Sequence, residues 1–505
     1  MPEAHISKPP DSGLIVRTEA GTVSGAALEG GIRLFKGIPF AAPPVGEMRW
    51  RPPGLPLPWS GVRPATEWGA DCPQPAPPPG GPSSSRAGKQ SEDCLNLNIW
   101  APATATGDKL PVMVWLFGGS FLVGSPSDIL FDGEKFARQG AILITANYRV
   151  GLFGFLAHPA LTAESPHRSS SNYALLDQLA ALRWIRDNIA NFGGDPSRVT
   201  VFGVSAGSAS VSLLLTSPLA KGLFQQAILE SPGAFRPLAS LAEAEAYGIK
   251  LGDDLPALRR LSPADVLAKT PLFVPKVRGL TTPRVLRPIR DGWVLPEDER
   301  VAFAAGHFHA MPIIVGTNCD EGTSFVGAWP VKDIAAYRAF VAENFGKAMA
   351  AALAIYPAPD DGAALAQVAE MFADTQFNYG AWALARAMAK SGKGTWRYLF
   401  LKQRPDQSAG PFHGDEVPFV FGGLGAPSRK GGAFDARDEA LSAAVMSLWV
   451  RFARTGDPNG GEIEWPAYDA ARDNHLELDD PVRAGAGWRR DKMEFLDRFF
   501  DGKAG

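Results

Sequence analysis

The pentapeptide Gly203-Val204-Ser205-Ala206-Gly207 constrains the fold of this chain more than any other stretch. Val199-Thr200-Val201-Phe202 precedes it with a strand-like pattern, and an Ala/Ser/Leu run follows. A strand therefore enters a sharp turn that holds a serine, and a helix starts at once. Such a turn strains the serine backbone and lifts its hydroxyl clear of the sheet. The two glycines fall where a Cβ would collide with a neighbouring strand or helix. The helix points its free N–H groups and positive dipole end at the hydroxyl. With 54 glycines in 505 residues, chance produces such a pentapeptide in about one chain of three. Its meaning depends on the segments around it.

Apolar runs of strand length recur at 110–117, 141–148, 199–202, 226–230, 311–316 and 396–402. Helical patterns lie between them. The clearest, at 173–192, carries Leu175, Leu176, Leu179, Leu182 and Ile185 on one face. Gly193-Gly194-Asp195-Pro196 ends it before the next strand. This alternation predicts an α/β fold, a large and mostly parallel sheet with helices on both faces. No internal repeat and no long linker interrupts it, so residues 1–505 read as one domain. The Pro-rich stretches at 42–58 and 73–82 read as excursions over the surface.

Hydrophobic content of 45% and charged content of 20% fit a globular protein. A net charge of −3 offers no broad attraction for nucleic acid or anionic membranes. The first thirty residues hold no apolar signal-peptide core, and no apolar run is long enough to span a bilayer. The C-terminal Asp501-Gly502-Lys503-Ala504-Gly505 is not a lipid-anchor signal. The expectation is a soluble protein without nucleic-acid or membrane partners, its oligomeric state open. Of the three cysteines, Cys72, Cys94 and Cys319, at least one is unpaired within the chain. A Cys72–Cys94 bridge would close a loop of about 22 residues and stabilise by roughly 3 kcal/mol. The lack of a leader favours the alternative, two buried thiols in a reducing compartment. Cys319 reads as a small buried residue.

A serine hydroxyl is a weak nucleophile at neutral pH and needs a positioned base, which in turn needs an acid to fix its tautomer. Behind an elbow of this kind the chain order is serine, acid, histidine. Of seven histidines, only His413 and His475 follow the candidate acids. His413 lies in Pro411-Phe412-His413-Gly414-Asp415-Glu416, a loop behind the 396–402 strand, and is the expected base. His475 reads as an exposed residue of a peripheral segment. The acid comes from Asn318-Cys319-Asp320-Glu321-Gly322, behind the 311–316 strand, where Asp320 and Glu321 both qualify. An oxyanion needs backbone N–H donors. Phe117-Gly118-Gly119-Ser120-Phe121, behind the 110–117 strand, offers those of Gly119 and Ser120, and Ala206 offers a third.

Taken together these segments resemble the type B carboxylesterases, the carboxylesterase, cholinesterase and fungal-type lipase branch of the α/β-hydrolases. The resemblance spans nearly the whole chain. It includes Phe35-Lys36-Gly37-Ile38-Pro39-Phe40-Ala41, Glu92-Asp93-Cys94-Leu95-Asn96-Leu97-Asn98, Asn147-Tyr148-Arg149-Val150-Gly151 and Thr455-Gly456-Asp457-Pro458-Asn459. It implies an α/β-hydrolase fold with helical and loop insertions over the active site. The implied activity is carboxylic-ester hydrolysis through an acyl-enzyme, with no cofactor or metal, on a small-molecule ester. It implies Ser205 as nucleophile, His413 as base and Glu321, not Asp320, as acid, with Gly119, Ser120 and Ala206 around the oxyanion. It also implies a disulfide between Cys72 and Cys94, which would favour a periplasmic or secreted protein where the missing leader favours the cytoplasm.

Two departures bear on substrate. Ser120 stands where many members have glycine, and Val204 where most have glutamate, which removes a negative charge beside the serine. With no tryptophan in the Cys72–Cys94 loop for cation–π contact, choline specificity is not expected. Carbamates, amides or lactones are alternative substrates, and a non-catalytic adhesion module is disfavoured because the triad is complete. The 121–135 and 270–300 segments and the region from Phe377 to Trp382 are expected to line the gorge.

Overall fold

Strands that are apolar at every position need cover on both faces. The computed structural model meets that need with one eleven-stranded sheet. It describes residues 13–76, 85–103, 109–275, 277, 279–404, 407, 410–425 and 434–503. Residues 1–12 and 504–505, used above for the leader and anchor readings, and 77–82 of the Pro-rich stretch lie outside the described residues. In chain order the strands are β1 (Ala26–Leu28), β2 (Ile32–Pro39), β3 (Asn96–Pro102), β4 (Leu110–Leu116), β5 (Ile142–Ala146) and β6 (Gly194–Val204). Then come β7 (Gln226–Glu230), β8 (Ile313–Asn318), β9 (Thr395–Phe400), β10 (Asn474–Leu478) and β11 (Arg483–Ala486).

Their spatial order is β11-β10-β9-β8-β7-β6-β4-β5-β3-β2-β1. From β5 to β10 every pairing is parallel, and the outer strands add antiparallel partners at both edges. All six predicted apolar runs are strands of this sheet, with ends shifted by a few residues. The fold is that of an α/β-hydrolase, with helices on both faces. The α1 helix (Tyr173–Asn188) is followed by a 3₁₀ turn, Ile189–Phe192, and stops at Gly193, whose φ of 94° suits glycine. The α2 helix (Ala206–Thr216) starts directly behind β6 and packs on β4, β6 and β7. Trp115 of β4 meets Phe131, Phe202 and Phe421 with ring centres 4.8–5.0 Å apart, filling the core beneath the site.

The expected Cys72–Cys94 disulfide is corrected here: both are free, buried thiols. The chain does bring them together, since Cys94 hydrogen-bonds to the Cys72 side chain. That bond and burial push the Cys94 thiol well above its ordinary pKa. Disulfide chemistry starts from a thiolate, the form this environment disfavours. Among the described residues no helix is long and apolar enough to cross a membrane.

Candidate active site

In a parallel sheet every strand delivers its following loop to the same edge, so residues far apart in sequence converge there. Ser205 sits between β6 and α2 with φ 56° and ψ −118°, a strained conformation for a non-glycine residue. Packing holds it there. A Cβ on Gly207 would stand 1.9 Å from Leu116 O, and one on Gly203 2.4 Å from the same oxygen. Only glycine allows the elbow to press so closely on β4. Ser205 N–H donates to Glu230 O at 3.0 Å, tying the elbow to the end of β7.

The loop behind β4 lies directly against the serine, because a Cβ on Gly118 would be 3.1 Å from Ser205 Cβ. Gly119 has φ 124°, and a Cβ there would meet Val123 O at 2.0 Å. Ser120 and Phe121 follow with φ of 58° and 64°. Tyr148 Oη donates to Phe117 O at 2.6 Å and stacks on the Phe117 ring, which anchors the start of this turn. No acceptor among the described residues takes the N–H of Gly119, Ser120 or Ala206.

Glu321, behind β8, and His413, behind β9, meet at 2.5 Å through Oε2 and Nδ1. Glu321 is fully buried, and its Oε1 accepts from Ser231 Oγ at 2.5 Å and Asn318 N–H at 2.7 Å. A carboxylate offers only acceptors, so in this pair Nδ1 carries the hydrogen and Nε2 keeps its lone pair. Asp320 turns elsewhere: its Oδ1 accepts from Thr323 N–H at 3.1 Å. His413 Nε2 is buried, and no hydrogen bond joins it to Ser205 Oγ or to any other described group. A base for Ser205 is expected to lie within hydrogen-bond reach of its Oγ, and here that bond is open. Contacts of this kind in unliganded sites often tighten only when substrate arrives.

Two aromatic rings orient the imidazole. Phe377 stacks on it at 4.2 Å, and Phe325 meets it edge-on at 5.2 Å. Phe377 lies in a π-helical turn, Asp374–Asn378, a local irregularity that re-aims side chains at functional sites. Both phenylalanines line the cleft that Ser205 opens into. Phe121, Phe273, Leu286 and Phe377 come from segments expected to line it, whereas Arg236 and Phe325 were missed. Ser231 was also missed. His475 is corrected from exposed to buried: it sits in β10, and burial drives its pKa down to about 4. Cys319 is half-buried, its thiol pushed up to about 11 by burial. Among the described residues no group of three or more His, Cys, Asp or Glu could hold a metal ion.

A family model described as the carboxylesterase family matches residues 12–496. The chain belongs to the carboxylesterase family. It is 45% identical over 469 residues to fumonisin B1 esterase of Sphingopyxis macrogoltabida, covering 91% of this chain and 85% of that one. It is 40% identical over 486 residues to para-nitrobenzyl esterase of Bacillus subtilis (strain 168), covering 93% and 95%. A solved structure titled PNB esterase superposes with a TM-score of 0.85 at 34% identity, covering 95% of this chain and 99% of that one.

This carboxylesterase-family chain also buries two carboxyls behind the Glu321–His413 pair. Burial pushes Glu230 up to about 8, although Trp449 Nε1 donates to its Oε1 at 2.9 Å. Burial and the fields of Glu230 and Glu321 raise Glu416 well above the ordinary range, while Asn318 Nδ2 donates to it at 2.6 Å. For Glu230 the folded-state pKa lies above the unfolded value, so folding favours the protonated acid. Its stabilisation is complete below about pH 4.5 and is lost as pH rises through about 8. Glu230→Gln is expected to flatten the fall in Tm between pH 5 and pH 9, read by thermal melts across that range. An unchanged slope would show that Glu230 is already ionised at neutral pH.

Proposed function

We propose that the protein hydrolyses carboxylic esters through an acyl-enzyme on Ser205. His413 Nε2 takes the Ser205 proton as Oγ attacks the ester carbonyl. Glu321 steadies the imidazolium that forms. The N–H groups of Gly119, Ser120 and Ala206 receive the developing oxyanion, aided by the N-terminus of α2. His413 returns the proton to the leaving alcohol, then activates a water that releases the acid. The single observation that carries this reading is the strained Ser205 elbow opening into a cleft walled by the two phenylalanines that grip a Glu321-oriented imidazole. Membership of the carboxylesterase family over residues 12–496 supports the reaction class. The chain is read as one catalytic domain, supported by that span. Fumonisin B1 and para-nitrobenzyl esters, named for two relatives, belong in the first substrate panel.

The test is stoichiometric labelling with a fluorophosphonate, followed by peptide mapping. One adduct per chain at Ser205, with parallel loss of aryl acetate turnover, is expected. Turnover that survives without an adduct there would overturn the assignment. Gly119→Ala tests the oxyanion site, since the new Cβ must displace Val123 O. Its kcat is expected to fall about 100-fold or more, with a smaller change in KM.

A further inference from the structure

A second cavity, of about 460 Å³, shares none of its lining residues with the cleft into which Ser205 opens. That volume is ample for a small molecule. We propose that it binds a medium-chain carboxylate, with the anionic head at Arg183 and the apolar tail along Leu176, Leu219 and Trp293. The site is argued from its own walls and stands independently of the ester-hydrolase reading.

Tyr173, Leu176 and Arg183 fall within about 80° of one another around α1, so one stripe of that helix lines the cavity over about 15 Å. Tyr173 and Leu176 are buried, and Arg183 is half-buried. Leu161 and Leu219, the latter in the turn behind α2, add aliphatic surface. Trp293 adds an aromatic one, its ring stacked on His167 at 3.7 Å and 8°. Trp50, also on the wall, is fixed by its Nε1 donating to Leu152 O at 2.9 Å. The wall is therefore long, mainly apolar and built on ordered elements, which suits an extended hydrocarbon tail.

The charges on this wall are unequally matched. Glu164 is engaged, accepting from Arg259 Nη1 at 2.9 Å and Arg51 Nη2 at 3.3 Å. Asp291, behind the wall, accepts from Ser169 Oγ at 2.7 Å and from the N–H groups of Trp293 and Leu295. Arg183 is different: among the described residues it forms no ion pair or hydrogen bond. Burial and the positive charge of Arg186 hold its guanidinium below the ordinary range, as expected of a cation without a counter-charge. Arg186 itself pairs with Asp187 at 2.7 Å. A carboxylate head would supply the missing charge, and the planar guanidinium fork receives it through two parallel hydrogen bonds. At the other end of the stripe burial pushes the Tyr173 phenol above its ordinary range, so it stays uncharged and does not repel an anion.

Calorimetry with decanoate on the full chain tests the proposal, with decanamide as the uncharged match and butanoate as the short one. Decanoate is expected to bind with a Kd below about 1 mM, and decanamide and butanoate each about tenfold or more weakly. Added salt is expected to weaken decanoate more than decanamide. Arg183→Gln is expected to weaken decanoate about tenfold, Arg183→Lys to retain part of the binding, and Arg183→Glu to abolish it. Arg183 makes no contact that holds the fold, so the melting temperatures of these variants are expected to stay near that of the parent. Leu219→Trp, which fills the cavity, is expected to remove binding as well. Because decanoate can also enter the cleft beside Ser205, a diazirine-bearing decanoate and peptide mapping locate it. Adducts on Leu176, Leu219 or Trp293 are expected. Adducts confined to cleft residues such as Leu122 and Phe273, or a Kd unmoved by Arg183→Glu, would overturn the site. Decanamide bound as tightly as decanoate would overturn the carboxylate assignment, and no measurable binding would overturn the proposal outright. None of these readouts uses turnover, so their failure leaves the hydrolase reading intact, and inactivity towards every ester leaves them unaffected.

Discussion

Ser205→Ala is expected to lower kcat for aryl acetates by about 10⁵–10⁶-fold while leaving the melting temperature near that of the parent protein. The reasoning starts from the elbow. The backbone at Ser205 is held by Gly203 and Gly207 pressing on Leu116 O, and by the Ser205 N–H bond to Glu230 O. None of these contacts uses the hydroxyl, so alanine can occupy the same strained turn. What is lost is the attacking oxygen. At about 1.4 kcal/mol per decade, the change corresponds to about 7–8 kcal/mol of lost transition-state stabilisation. Combining it with His413→Ala is expected to add little, because the two groups act as one unit. A loss of less than about 100-fold, with the protein folded, would show that another group attacks the ester.

Glu321→Gln is expected to cost about 10⁴-fold in kcat. Glu321 Oε1 accepts from Ser231 Oγ and Asn318 N–H, so the amide oxygen of a glutamine is drawn to that side. Its NH₂ group then faces His413 Nδ1. That arrangement forces Nδ1 to accept and moves the hydrogen to Nε2, which can no longer take the Ser205 proton. The ring keeps its place between Phe377 and Phe325, so the defect is one of tautomer and not of position. The measurement is kcat across pH 6–9 beside a thermal melt. A loss confined to KM, or one matched by a large fall in Tm, would mean that Glu321 only supports the fold.

The central strands were legible because their burial on both faces writes an unbroken apolar run. The outer strands were not. Within β2, Gly37 and Pro39 break the pattern and the register shifts between Phe35 and Ile38; in β3, Asn96 and Asn98 are buried polar residues that disguise a strand. Physical reasoning alone left Asp320 and Glu321 as equals, since both leave the same strand end. The structure separates them through the bond from Thr323 N–H to Asp320, a contact no spacing rule marks. Ser231 was invisible for a related reason: it reaches Glu321 only because β7 and β8 pair with Glu230 beside Gly316. His475 was misread because acidic neighbours suggested a surface. Its partner across the β10–β11 pair is Gly485, and the lack of a side chain there leaves room for the ring.

The parallel run from β5 to β10 also separates two evolutionary tasks. Its strands pin the reacting groups, while the cleft wall draws on residues such as Gly233, Arg236, Phe273, Val274 and Leu286 that lie in none of those strands. A lineage can therefore exchange one recognition surface for another, by replacing whole loops, without disturbing the machinery that breaks the bond. Grafting residues 273–287 from a relative is the experiment in protein engineering that this separation invites.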